Sequence, residues 1–172
     1  MKKALTIAAI ALGVIAAQAA QVAWNVEDVN KNGTGISGSG VAYLFNADTY
    51  TTAQVEAAIK EGKLDTLTHI GGIATIDEEE PGYLSAGKRD DSNIAFNTTY
   101  NVFAVVFDSD DTSSGNYLIT PSKQVTTKGS GQSNFAVGSQ ASNNNWTPVP
   151  EPTTVALLAL GLAALGLKRK IA

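Results

Sequence analysis

Thirteen consecutive residues, Val155 to Leu167, are all Ala, Val, Leu or Gly, and the basic triplet Lys168-Arg169-Lys170 follows at once. A second uncharged run, Ala4 to Ala17, stands behind Lys2 and Lys3. Neither run has the polar outer face that an element of a water-soluble domain carries. A soluble fold must therefore be built from the 128 residues between them, 20–147, which suits one domain rather than two.

The first run reads as a secretory signal. Lys2 and Lys3 form the positive n-region, the apolar stretch is too short to span a bilayer permanently, and Ala17-Gln18-Ala19 is a small-x-small site for signal peptidase. Residues 1–19 are expected to be removed after delivery to the Sec machinery, leaving Ala20 as the first mature residue.

At the other end, Val149-Pro150-Glu151-Pro152 is followed by Thr153-Thr154 and then the apolar run. Proline bars a helix up to Pro152, and the chain is free to be helical beyond it. From Thr153 to Leu167 such a helix rises about 22 Å at 1.5 Å per residue. That is short of the ~30 Å hydrocarbon core, so it spans only with thinning or with snorkelling by the basic residues. The basic triplet is expected to stay cytoplasmic.

Residues 148–172 resemble the PEP-CTERM sorting signal of exported bacterial proteins. The match is the motif Pro150, Glu151 and Pro152, the short Leu/Ala/Gly helix, and the basic stop Lys168, Arg169 and Lys170. The resemblance implies a Gram-negative-type bacterium that makes exopolysaccharide. It also implies processing by exosortase, a membrane cysteine protease-transpeptidase that cuts near the motif, after a transient stay in the inner membrane. The cell surface or the extracellular matrix is then the destination, with exopolysaccharide a further expected partner.

The whole chain carries a net charge of −4. Five of its twelve basic residues sit in the two ends, so residues 20–147 hold seven basic and fifteen acidic residues, a net of −8. A domain this acidic repels nucleic acid and anionic lipid. The absence of cysteine excludes a disulfide scaffold, a cysteine nucleophile and cysteine metal sites. No cofactor is expected.

The pattern in the domain is mostly β. Strands are expected at Gln21 to Val29, Val41 to Phe45, His69 to Ile76 with a bulge at Gly71-Gly72, Tyr100 to Phe107 and Asn116 to Thr120. Tyr100 to Phe107 is apolar on both faces and reads as a central strand, joined to Asn116 to Thr120 by a hairpin. One helix follows a Thr51–Gln54 capping box, with Val55, Ala58 and Ile59 on one face and Gly62 after its end. The expected fold over residues 20–127 is an antiparallel β-sandwich or jelly-roll-like domain with one short helix. Residues 128–147, rich in Ser, Gly and Asn, read as a stalk, in which Phe135 and Val137 could add a last strand. A looser likeness of the Trp24, Val41–Phe45 and Phe103–Asp108 organisation to small PEP-CTERM proteins brings no activity.

Several motif matches have simpler explanations. Gly33-x-Gly35-x-x-Gly38 fits the dinucleotide fingerprint by letter, but no helix follows it, so a glycine-rich hairpin loop is expected. Asp28-x-Asn30-x-Asn32-Gly33 starts like a calcium loop, but its twelfth position is Ser39. Asp108, Asp110 and Asp111 share one turn and form the better hard-cation candidate, although no bound metal is expected there. Ser85-x-x-Lys88 lacks the companion elements of a serine acyltransferase. The single histidine, His69, has no evident catalytic partner.

The function that fits these readings is a non-catalytic, structural or adhesive protein of the cell surface. The alternative is a carbohydrate-binding module using two or more coplanar exposed rings among Trp24, Tyr50, Tyr83 and Trp146. A small hydrolase built on paired carboxylates is the least favoured reading.

Overall fold

The fold is given by a computed structural model, which describes residues 19–137 and 146–150. In chain order the elements are β1 (Ala20–Val26), β2 (Asn30–Lys31), β3 (Thr34–Gly35), β4 (Val41–Asn46), α1 (Thr52–Lys60), β5 (Ile70–Asp77), β6 (Glu80–Asp91), β7 (Thr99–Phe107), β8 (Asn116–Ile119), β9 (Lys123–Thr126), β10 (Gln132–Val137) and β11 (Thr147–Pro148). The mostly-β expectation with one short helix is met. The rest of the signal and sorting segments, with Ala17, Glu151, Pro152, Lys168, Arg169 and Lys170, lies outside the described residues, as do positions 138–145 of the expected stalk.

Nine of the strands form one sheet in the order β10-β1-β6-β5-β4-β7-β8-β11, with β9 also paired to β7, and β2 and β3 pair in a separate two-stranded hairpin. This corrects the expectation of two antiparallel sheets. The sheet is mixed, because β10 runs parallel to β1 with Trp24 opposite Phe135. Within the 128–147 stretch, Phe135 and Val137 do supply a strand, and Gln132–Val137 is part of the folded sheet. One buried cluster unites Val22, Trp24, Phe135 and Val137 from one end of the order with Val102, Val125 and Leu118 from the other. The sheet therefore curls until its two ends share a core, and this inner face takes the place of a second sheet. The curl depends on irregularities such as the register shift in β5, where Ala42 pairs Ala74 but Leu44 pairs Ile70. Gly71 supplies the positive φ there, +65°.

The outer face of β4, β7 and β8 is covered by α1. Val55 and Ile59 pack against Phe45, Phe103, Phe107 and Tyr117 in a second cluster. The helix is held where its local signals put it. Thr51 caps it, the box with Gln54 is complete, and Gly62 follows at φ +65°. With cores on both sides, β7 is fully covered from Val102 to Phe107, as its two-faced apolar pattern requires.

β6 was not expected. Its twelve residues pair with both β1 and β5, yet only Gly82, Leu84, Ala86 and Asp91 are buried. Pro81, two glycines and a charged run from Lys88 to Asp91 mask the alternation.

Candidate functional site

The residues leading into Pro150 are attached to the domain. β11 adds to the free edge of β8, with Thr147 opposite Tyr117 and Pro148 opposite Asn116. Val149 continues the ladder, donating its N–H to the Gly115 carbonyl at 3.0 Å. The Val149 side chain is buried in the cluster beneath α1. Pro150 then lines a cavity of about 440 Å³ together with Ile59, Lys60, Lys63 and Ser113. Proline suits an edge strand of this kind, since it has no donor to leave unpaired.

Trp146 fixes the start of this segment. Its indole Nε1 donates to the Asn30 carbonyl at 2.8 Å, and the Lys31 ammonium lies 5.8 Å from the ring centroid. Lys31 in turn pairs with Asp108. The other contacts of Asp108 come from Asn116, whose backbone N–H and side-chain Nδ2 donate at 2.7 Å and 2.9 Å. Partial burial pushes the Asp108 carboxyl up, but the bonds from Lys31 and Asn116 together outweigh it and hold the group below its usual range. A chain of contacts thus runs from the β7–β8 turn through the β2–β3 hairpin to Trp146.

That hairpin accounts for two of the motif matches. Asn32 and Gly33 both have positive φ, +54° and +81°, at its two-residue turn. This is the arrangement an Asn-Gly type I′ turn needs. A Cβ at Gly35 would stand 2.6 Å from the Pro81 carbonyl oxygen, so this glycine serves close packing against β6. The hairpin-loop expectation for residues 33–38 holds.

The turn carboxylates are not brought together. Asp108 faces Lys31 and Asn116, whereas Asp111 accepts from Ser113 and Ser114 within its own turn. These hydrogen bonds hold Asp111 below its usual range. Among the described residues no cluster of three metal-ligating side chains occurs, Asp108, Asp110 and Asp111 included.

Nor do the four candidate rings make a flat platform. Trp24 is buried and donates to the Gly72 carbonyl at 3.0 Å. Tyr50 packs edge-on to Phe45, and Trp146 is spent on the Asn30–Lys31 contact. Ser85 and Lys88 are both exposed on β6, and no hydrogen bond joins them among the described residues. A cavity of about 340 Å³ is lined by Glu27, Asp28, Glu80 and Tyr83, but all three carboxylates are exposed.

Sequence reasoning missed the docking of Trp146–Pro150. Its signal was two apolar side chains, Trp146 and Val149, in an otherwise polar, proline-rich stretch. Ala19, the last residue of the expected signal site, is partly buried next to the buried Ala20.

Residues 148–170 match the family model described as the PEP-CTERM protein-sorting motif. No curated protein and no solved structure matches the chain. The match supports a PEP-CTERM sorting-signal protein, which implies export, transient membrane anchoring and exosortase as the processing partner. No helix among the described residues is long and apolar enough to cross a membrane.

Proposed function

We propose that this bearer of a PEP-CTERM sorting motif is a non-catalytic surface or matrix protein of an exopolysaccharide-producing, Gram-negative-type bacterium. Residues 1–19 serve as its cleaved Sec signal. Exosortase then cuts close to Pro150-Glu151-Pro152, removes the apolar run with its basic stop, and delivers the β domain to the cell surface or the extracellular matrix. The domain acts there as a structural or adhesive component and needs no cofactor.

The observation that carries this reading is the match over residues 148–170, which begins within the docked strand β11. A cut beyond Val149 leaves the domain and its last strand whole. The decisive test is the intact mass of the product made in hosts with and without exosortase. The expected result is loss of both ends in the first host and retention of the C-terminal run in the second. Replacing Pro150-Glu151-Pro152 by alanines should leave the protein membrane-bound and uncut. If the wild-type chain keeps residues 155–172 in the exosortase-positive host, the sorting reading fails.

A further inference from the structure

The docking of β11 leaves very little chain between the folded domain and the apolar run. Pro150 lies against the domain, and the run begins at Val155. Only Glu151, Pro152, Thr153 and Thr154 stand between them. Whatever their conformation, the five steps from Pro150 to Val155 cover at most about 18 Å. Lipid headgroups already occupy about 5–7 Å outside the hydrocarbon edge.

The shortness of the run draws the domain nearer still. A helix from Thr153 to Leu167 rises about 22 Å. With the basic stop at the cytoplasmic face of a ~30 Å core, Thr153 ends about 8 Å inside the outer hydrocarbon edge. Three extended steps, about 11 Å, then bring Pro150 only to headgroup level. Thinning of the bilayer or snorkelling by Lys168 to Lys170 relaxes this, up to the 18 Å bound.

The surface that this geometry turns toward the lipid is the one around Pro150. Its cavity is shared with Lys60 and Lys63 from the end of α1 and with Ser113 from the β7–β8 turn, all three exposed. Two of the domain's seven basic residues thus stand beside the point of attachment. Lys63 is paired with Glu61 at 2.8 Å, and Lys60 has no carboxylate partner among the described residues. The same end of the sheet also carries acid. Val41 is opposite both Phe107 and Thr75, which places the β5–β6 turn and its Glu78, Glu79 and Glu80 at this end. Those carboxylates, and the net of −8, repel anionic headgroups.

We propose that, while the chain is anchored, the end of α1 and the β7–β8 turn rest on the phospholipid headgroups, with Lys60 and Lys63 facing the lipid phosphates. The short connection enforces the contact against the charge of the domain. A cut beyond Pro150 therefore also releases the domain from the surface, since two lysines do not offset its acidity. The inference rests on the membrane anchoring that the sorting motif implies, and it adds the face and the standoff.

The test uses the full-length chain from a host lacking exosortase, reconstituted into phosphatidylethanolamine–phosphatidylglycerol vesicles. The chain has no cysteine, so single variants Lys60→Cys, Ser113→Cys and Thr126→Cys each take one fluorophore at an exposed position. Thr126 stands opposite Thr99, at the far end of β7 from Phe107. With nitroxide on the lipid headgroups, the labels at 60 and 113 should lose most of their emission and the label at 126 should keep it. A Gly-Ser insertion of about twenty residues after Pro152 adds ~25 Å of coil and should restore emission at 60 and 113. Flotation of the vesicles separates the two readings. A chain that does not float overturns the anchoring and the inference with it. A chain that floats with equal quenching at all three positions, or with quenching at 60 and 113 that the insertion leaves unchanged, overturns the inference alone.

Discussion

Trp146 Nε1 donates to the carbonyl oxygen of Asn30 across 116 positions of the chain. The bond places the approach to the sorting motif on the β2–β3 hairpin, far from its neighbours in sequence. Together with Val149 it makes the segment an integral edge of the domain rather than a tether. The distinction matters for processing, because a strand laid into a sheet is a poorer protease substrate than an extended free segment.

Val149→Asp should release this edge. The change removes most of a buried valine, worth about 1.5–3 kcal/mol, and sets an unpaired carboxylate beneath α1. The expected outcome is faster proteolysis within residues 146–150 of the folded protein, with the core that precedes them persisting. Limited proteolysis followed by mass analysis checks it. A cleavage rate equal to wild type would show that Val149 does not hold the strand.

Asp108→Asn should cost about 1–3 kcal/mol, since it removes charge-assisted bonds from Lys31 and Asn116 in a partly buried setting. Asn116→Ala should cost less, because the backbone N–H of residue 116 still donates. Urea unfolding of the two variants ranks the contributions.

The pH dependence follows from the lowered Asp108 pKa. A group whose folded pKa lies below its unfolded value stabilises the fold fully above the unfolded value, and that stability is lost as pH falls through the folded one. The Lys31–Asp108 contact should therefore persist from neutral pH down to the ordinary carboxylate range and weaken below it. Trp146, stacked on Lys31, should report the loss as a fluorescence change in acid. Asp108→Asn should lack that component. An identical acid profile in wild type and variant would contradict it.

Removing divalent cations should leave thermal stability almost unchanged. An ion present at a hundredfold excess over its Kd would add about 2.7 kcal/mol, or several degrees of melting temperature for a domain of this size. Melting curves with calcium and with EDTA make the comparison. A fall of more than a few degrees in EDTA would point to the 108–111 turn.

Gly35→Ala should destabilise by roughly 1–3 kcal/mol, as overpacking does, because the added Cβ would press on the Pro81 carbonyl. Gly87, around which there is open space, is the control. Substituting alanine there should cost little by differential scanning calorimetry.

The parts of the fold that were legible in the sequence are those written in local chemistry. Thr51, Gln54, Val55, Ile59 and Gly62 specify α1 within a dozen residues, and the apolar run from Val102 to Phe107 specifies a covered strand. β6 was hidden because Glu80, Pro81 and Gly82 carry turn chemistry, while Lys88 to Asp90 are exposed and give no alternation. The parallel partnership of β1 and β10 has no local signal at all, since it depends on how far the sheet curls. The same holds for Val149, which is buried in a cluster gathered from β4, α1, β7 and β8.

The pairing of Trp24 with Phe135 also sets the order in which the chain can become compact. The first strand to leave the ribosome, β1, waits for β10, the last but one, before the sheet can close on itself. Such distant pairings form slowly, so a nascent chain still lacking residues 132–137 stays pliant. A polypeptide that must be threaded through a narrow channel before it folds gains time from this topology, and it locks into shape only once nearly all of it has passed to the far side.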